Sequence, residues 1–277
     1  MGTAIKVASF NVKHDFFFAG SHRWEQRREL VARFIRESNA AIVGVQELMP
    51  RMKEDILSRL RDYRIFGSGR TRRLTNEHSA ILMRKGGLTP GFSDTFWLSK
   101  HPEKSGSRAY FSAFPRICTV CEAYVEEFGR SIRVFNTHFD HLCAPARTLS
   151  ARLILEYMHR LNGREKMPTI LMGDMNAHPD SKPIRLLSGN RHGYDDVRLI
   201  NIFSGPRAQD AHNTYHGFKG KQKGTPIDYI FVSEEFEVDQ AYVDTSSENG
   251  RYPSDHYPLV AVLRLRENAA KNPLKRA

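Results

Sequence analysis

Residues 4 to 10 alternate apolar and polar positions as a half-buried strand does, and Trp24 to Ser38 then carries Leu30, Val31, Phe34 and Ile35 at helical spacing. Ala41 to Gln46 is a short apolar run of strand length, so the chain opens as a strand, helix, strand unit. A second helix is predicted across Arg51 to Leu60, and strands at Ser79 to Arg84, Ile117 to Glu126 and Ile132 to Thr137. The segment Gly86 to Pro115 is rich in turn formers and is expected to hold loops and short strands. Pro145 to Leu161 places Leu149, Leu153, Ile154, Tyr157, Met158 and Leu161 on one helical face, and the apolar run Pro168 to Met172 leads into a strand ending at Asp174. After a loop-rich stretch, Ile227 to Ser233, Phe236 to Tyr242 and Tyr257 to Leu265 read as strands. Strands grouped at both ends with helices between them predict an α/β protein of two packed sheets with helices outside. With no evident repeat, low-complexity tract or linker, the expectation is one domain over residues 1–266 and a basic, frayed tail over 267–277.

Composition narrows the setting. A chain of 277 residues can bury a substantial core, and 40% hydrophobic with 26% charged residues is ordinary for a soluble globular protein. No apolar run approaches the roughly 18 residues that a membrane span needs. The N-terminus enters a strand pattern without a secretory signal, and Lys6 stands where a myristoylation signal would have Ser or Thr, so a cytoplasmic monomer is expected. Cys118, Cys121 and Cys143 lack the second pair that a zinc site requires and are expected to be reduced core thiols. The net charge of +11 favours anionic partners: nucleic acid, phosphorylated small molecules or acidic head groups. The excess gathers at Arg70, Arg72 and Arg73, at Lys219, Lys221 and Lys223, and at Arg264, Arg266, Lys271, Lys275 and Arg276, each readable as a solvated surface.

Candidate chemistry lies where the apolar runs stop. Gly-Asp-Met-Asn at 173 to 176 ends a strand, and period-two alternation puts Asp174 and Asn176 on one face with Met175 turned into the core. Taken alone, Asp and Asn after a strand are common turn chemistry. The pattern recurs, however: Asn11 follows VASF, Glu47 follows IVGVQ, His138 follows VFNT, Asp228 opens a strand, and Asp255 with His256 precede YPLVAVL. If the strands align, these groups share a cleft. Glu47 and Asp255 are hard oxygen donors suited to Mg2+ or Mn2+, and histidine and amide groups can hold phosphate oxygens. The set suits metal-assisted attack of water on phosphorus.

Six ordered blocks then carry a resemblance: SFN at 9 to 11, VQE at 45 to 47, NTHFDH at 136 to 141, GDMN at 173 to 176, IDYIFVS at 227 to 233 and SDHYPL at 254 to 259. Together they resemble the endonuclease/exonuclease/phosphatase superfamily, which includes deoxyribonuclease I, AP endonucleases, deadenylases, neutral sphingomyelinases and inositol polyphosphate 5-phosphatases. The resemblance implies a four-layer α/β/β/α sandwich with its site at one edge of the two sheets. It also implies roles. Asn11 and Glu47 would help hold the metal, Glu47 foremost, with Asp255 near the metal centre. His138 and Asn176 would contact the scissile phosphate, Asp174 would orient or deprotonate the attacking water, and Asp228 would fix the tautomer of His256.

Two departures set the chain apart from AP endonucleases: Leu48 follows Glu47 where that branch has Thr-Lys, and Thr225-Pro226 precede Ile227-Asp228 where it has Trp-Arg. Further segments resemble a largely bacterial branch, namely TFWLS at 95 to 99, PRICT at 115 to 119, YHGFKG at 215 to 220 and RYPSDH at 251 to 256. On these, Arg116, Asp140, Arg147, His216 and Arg251 are expected substrate contacts, guanidinium being suited to phosphate oxygens; Phe96 and Trp97 are expected in the core. The expected activity is a Mg2+- or Mn2+-dependent phosphoesterase, with a nuclease or phosphodiesterase favoured by charge and family breadth. A small phosphorylated metabolite or lipid head group would instead need a pocket, which loops around Gly86 to Pro115 and Ala208 to Gly224 could close. A catalytically silent binding module is disfavoured because every expected catalytic position is filled.

Overall fold

The computed structural model describes residues 3–15, 20–189 and 193–266. In chain order β1 (Ala4–Asn11) is followed by α1 (Trp24–Ser38), β2 (Ile42–Leu48), α2 (Pro50–Arg59), β3 (Tyr63–Phe66), β4 (His78–Arg84), β5 (Leu88–Trp97), β6 (Ile117–Val125) and β7 (Arg130–His138). Then come α3 (Ala144–Asn162), β8 (Thr169–Asp174), α4 (Lys182–Ser188), β9 (Leu199–Asn201), β10 (Asp228–Ser233), β11 (Phe236–Val243) and β12 (Leu259–Leu265). They form two six-stranded sheets, ordered β11-β12-β1-β2-β4-β3 and β5-β6-β7-β8-β10-β9.

Each sheet has one parallel pair made by a helical crossover, β1 with β2 through α1 and β7 with β8 through α3. Parallel strands end at the same edge, so Asn11 stands opposite Gln46, next to Glu47, and His138 stands opposite Asp174. The antiparallel neighbours begin at that edge: Asp228 of β10 pairs with Asp174, and Asp255 and His256 lie just before β12.

The inner faces of the two sheets bury Val7, Ile42 and Ile81 against Val134, Ile170 and Met172. On one outer face Val31, Ile35, Met52 and Ile56 of α1 and α2 cover Ala8, Val43 and Leu82. On the other, Ile154, Met158, Ile184 and Leu187 of α3 and α4 cover Phe135, Leu171 and Phe231. The layers are therefore α/β/β/α, as the resemblance implied. The sheets meet closely at Gly44, where a Cβ would lie 2.4 Å from Met172 Sδ. Beside it a buried polar bridge joins them: Gln46 Nε2 donates to Asn136 Oδ1 at 2.6 Å, and Asn136 Nδ2 donates to the carbonyls of Val45 and Ala80 at 3.0 and 2.7 Å.

Several expectations need correction. The stretch after Gly86 contains one ten-residue strand, β5, whose pairing shifts between Pro90 and Ser93; as an exposed edge strand it lacks the apolar alternation that marks a buried one. The short elements β3, α4 and β9 carry too few apolar positions to show a period. Cys118 and Cys121 are buried, but Cys143 is half-exposed at the start of α3. Arg70, read as surface charge, is buried, whereas Arg72 and Arg73 are exposed. Phe96 and Trp97 are in the core. The tail 267–277, with Lys271, Lys275 and Arg276, lies outside the described residues. Among the described residues no helix is long and apolar enough to cross a membrane.

Candidate active site

The end of β2 bends to present Glu47. Its φ of 60° is left-handed, and the β2–β4 register shifts between Val45 and Leu48. That conformation costs a non-glycine residue roughly 1–2 kcal/mol and persists where surrounding contacts over-determine it. Here they do: Asn11 Nδ2 donates to Oε1 at 3.0 Å, His14 N donates to Oε2 at 2.9 Å, and the His14 ring contacts the same oxygen. Burial pushes the Glu47 carboxyl up, but the His14 hydrogen bond and the charges of His138 and Lys13 outweigh it and hold it well below the usual range. Glu47 is thus ionised.

Asp255 is carried by a short segment tied to β1, since Ser254 Oγ donates to the Asn11 carbonyl at 2.6 Å. Its Oδ2 lies 3.5 Å from Lys13 Nζ. Burial lowers the Lys13 pKa, yet Glu47 and Asp255 raise it beyond its ordinary value, so this end of the cleft favours a cation. Two carboxylates in an anionic field fit Mg2+ or Mn2+. Asn11 differs from the expectation. Its amide nitrogen bridges Glu47 and Asp174, each at 3.0 Å, and its oxygen accepts from Lys13 N at 3.0 Å, so as oriented it ties two acids together.

Asp174 is the centre of the second group. Gly173 makes its placement possible: at φ 147° a Cβ there would lie 2.0 Å from the Thr137 carbonyl, so glycine alone lets β8 close on β7. Asp174 Oδ2 then lies 3.6 Å from His138 Nε2 and 3.8 Å from His256 Nε2. Burial, then the neighbouring Asp228, raises its pKa against the opposing pull of His138 and His256. His256 is held by a 2.9 Å bond from Nδ1 to Asp228 Oδ2. Burial lowers its pKa, but Asp228, Asp174 and Asp255 raise it to about 10. Among the described residues Asp174, Asp228 and His256 bring ligand-type atoms within 4.8 Å of one another. A protonated imidazolium has no free nitrogen lone pair, so in that state the cluster offers a cation only its carboxylate oxygens.

Asn176 reaches the cleft by a turn. It is left-handed at φ 46°, its N–H donates to Asp174 Oδ1 at 2.9 Å, and its Nδ2 donates to the Phe139 carbonyl at 3.1 Å. Strand alternation is therefore not what sets it beside Asp174, although Met175 is buried as alternation requires. Glu77, just before β4, bonds His138 Nδ1 at 3.2 Å. Burial raises the Glu77 carboxyl, while His138, Arg70 and Arg116 bring it below its ordinary value. These groups line a cavity of about 410 Å³, rimmed by Phe114, His141, Tyr215 and Ile227.

Residues 8–256 match the model of the Endonuclease/Exonuclease/phosphatase family. The chain belongs to that family. Its members are phosphoester hydrolases. An endonuclease/exonuclease/phosphatase from Bacteroides vulgatus, 26% identical, superposes with a TM-score of 0.85 over 95% of this chain and 100% of that one. The Bacteroides thetaiotaomicron mannosyl-6-phosphatase Bt3783, 28% identical, superposes with a TM-score of 0.83 over 94% and 99%. The human nocturnin catalytic domain with bound sulfate, 18% identical, shares the fold with a TM-score of 0.74 over 96% of each chain. No curated protein matches the sequence.

Within this family fold the expected substrate contacts separate. Arg116 lines the cavity. Asp140 is fully buried, accepts from the Leu142 and Cys143 amides at 2.9 and 2.6 Å, and offers its carbonyl to Arg147 at 2.9 Å, so this pair shapes the entry to α3. His216 stacks on Tyr257 at 3.9 Å and donates its backbone N–H to the Asp255 carbonyl at 2.9 Å; burial first, then His256, pushes its pKa down to about 4. Arg251 is exposed, donates to the Gln26 carbonyl at 2.7 Å and lines a different cavity, of about 280 Å³. Sequence reasoning missed Glu77, although an acid directly before an apolar strand is the same signal that Asp255 gave before β12. It also missed Arg27, 2% exposed, which donates to the carbonyls of His22, Val12, Pro253 and Lys13 at 2.6, 2.8, 2.8 and 2.9 Å. That guanidinium fastens the segment after Asn11 to the segment before Asp255.

Proposed function

We propose that this chain is a divalent-metal-dependent hydrolase that cleaves a phosphate ester of a small molecule. One observation carries the reading: Asp174, of raised pKa and buried between His138 and His256, lines with them a cleft of about 410 Å³. Small-molecule sites typically enclose about 300–1,000 Å³. The structural likeness to a mannosyl-6-phosphatase supports a small ester further.

Glu47 and Asp255 would hold Mg2+ or Mn2+, which when bound lowers the pKa of water and neutralises charge on phosphate oxygens. Asp174 orients the attacking water and takes its proton, its raised pKa suiting it as a base. His256, kept protonated by Asp228, offers Nε2–H to a phosphate oxygen that gains charge as water attacks. His138, steered by Glu77, and Asn176 hold the phosphate so that attack is in line. Asn11 keeps the Glu47 and Asp174 carboxylates at a fixed spacing.

Net charge of +11 favours a second reading, a nuclease acting on a phosphodiester chain. The test is turnover of sugar phosphates, single- and double-stranded DNA, RNA and phospholipids, with Mg2+ or Mn2+ and with chelator, at low and high salt. Metal-dependent release of phosphate from sugar phosphates, weakly affected by salt, is expected. Preference for polymers with a steep salt dependence would replace the small-ester reading by the nuclease one. Inertness towards every ester in the presence of metal would refute the enzymatic reading.

A further inference from the structure

One wall of the cavity holds two guanidinium groups that share a single carboxylate. Arg70 Nη1 lies 2.9 Å from Glu77 Oε2, and Arg116 Nη1 lies 3.5 Å from Glu77 Oε1. Arg70 is 9% exposed and Arg116 6%. Each guanidinium has five N–H donors. Arg116 Nη2 donates to His141 Nδ1 at 3.1 Å, and its Nε is buried with no hydrogen-bond acceptor, 4.0 Å from Asp140 Oδ2. Asp140 is thus a second carboxylate beside Arg116, its other oxygen held by the Leu142 and Cys143 amides, and it offsets part of the Arg116 charge without taking the Nε proton in a hydrogen bond.

His141 adds to the donor set. Accepting from Arg116 at Nδ1 places its ring proton on Nε2, and burial together with the Arg116 charge lowers its pKa, so the ring is a neutral donor at the rim. Phe114 lies over Arg70 at 4.7 Å and gives that wall an aromatic face. Glu77 and Asp140 balance the charge of the two guanidiniums, yet these offer more N–H donors than the wall has acceptors, and an oxyanion in the cavity would take up the surplus. Along the chain of contacts the Glu77 carboxylate and the His138 ring stand between Arg116 and Asp174, which sets this wall apart from the proposed point of attack within the same cavity.

We propose that Arg70, Arg116 and His141 form a second oxyanion subsite, which holds a phosphate or carboxylate borne by the alcohol part of the substrate. The substrate class is then a small phosphate ester with a second acidic group. The proposal rests on the small-ester reading above and adds to it a rule for choosing among such esters.

A matched series tests it: glucose 6-phosphate, 6-phosphogluconate and glucose 1,6-bisphosphate, which differ by a carboxylate or a phosphate at the far carbon. With metal, at least one doubly acidic ester is expected to exceed glucose 6-phosphate at least tenfold in kcat/KM, mostly through KM, and which one does so identifies the oxyanion. Arg116→Met and Arg70→Met, checked for folding by circular dichroism, are expected to erase that preference, and Arg116→Lys to keep part of it. Equal turnover of the three esters, or variants that lose all three in the same proportion, would overturn the subsite while leaving the hydrolase reading intact. Calorimetric titration of the same three esters in chelator reads the subsite without turnover: tighter binding of a doubly acidic ester, equalised in Arg116→Met, supports it, and equal binding in the native protein overturns it. Failure of hydrolysis with metal alongside that binding preference would instead refute the hydrolase reading.

Discussion

His138 and Asp174 face each other across the parallel register of β7 and β8, with Nε2 of one 3.6 Å from Oδ2 of the other. The pair exists because Gly173 removes a side chain that would strike the Thr137 carbonyl. Gly173→Ala is therefore expected to cost about 3 kcal/mol or more of stability, from left-handed strain and collision with backbone. Urea unfolding measures it, and a midpoint equal to that of the native protein would show that the strands can separate freely.

Asp174→Asn keeps the shape of the side chain and removes its ability to take a proton. We expect turnover to fall by about 10²–10⁴, with an unchanged circular dichroism spectrum. His256→Ala should also abolish hydrolysis while leaving the fold intact. Near-native turnover by either folded variant would remove the residue from the proposed mechanism.

Glu77→Gln keeps volume and loses the charge that steers His138. A fall of about tenfold to a hundredfold in kcat, with KM changed less, is expected if Glu77 positions that ring. An unaffected kcat would mean that Arg70 and Arg116 are its only concern.

Two histidines give opposite pH dependences. His256, raised to about 10, binds its proton more tightly folded than unfolded; its stabilisation is complete below the unfolded value near 6.5 and is lost as pH rises through about 10. His216, lowered to about 4, is buried neutral; its contribution is complete above about 6.5 and is lost as pH falls towards 4. Urea midpoints of the native protein, His256→Gln and His216→Gln across pH 4 to 10.5 separate the two. The His256 difference should shrink on the alkaline side and the His216 difference on the acid side, and flat differences would contradict both assignments.

Arg27→Met would leave the carbonyls of Val12, Lys13, His22 and Pro253, of which that of Val12 is buried, without this donor. A loss of about 3 kcal/mol or more is expected from unsatisfied acceptors. A thermal unfolding midpoint within a degree or two of the native one would show that water replaces the guanidinium.

Much of this was legible in the sequence because the strands that carry the site are apolar runs ended by a single polar residue. Asn11, Glu47, His138, Asp174 and Asp228 stood out because that pattern recurs along the chain and falls in ordered blocks that resemble the family. Glu77 carried the signal of an acid before an apolar strand, but its partners His138 and Arg116 lie on β7 and in the segment before β6, tens of residues away, and Arg70 takes its buried place from Glu77. Arg147 and Arg251 have the right chemistry for phosphate, yet backbone carbonyls hold them, and composition does not show where a long side chain ends. Asn176 arrives beside Asp174 by a left-handed turn that strand periodicity does not contain.

The Asn11 amide, bonded to Glu47 of one sheet and Asp174 of the other, spans the seam between the two layers. Beneath it the Gln46–Asn136 bridge and the contact of Gly44 with Met172 set how the layers register. The distance between Glu47, proposed to hold the cation, and Asp174, proposed to accept the proton, is thus a property of how two sheets stack. Interior substitutions that never meet a substrate, such as Asn136→Leu, are therefore expected to change turnover, and sequence variation there should be as constrained as at the carboxylates themselves.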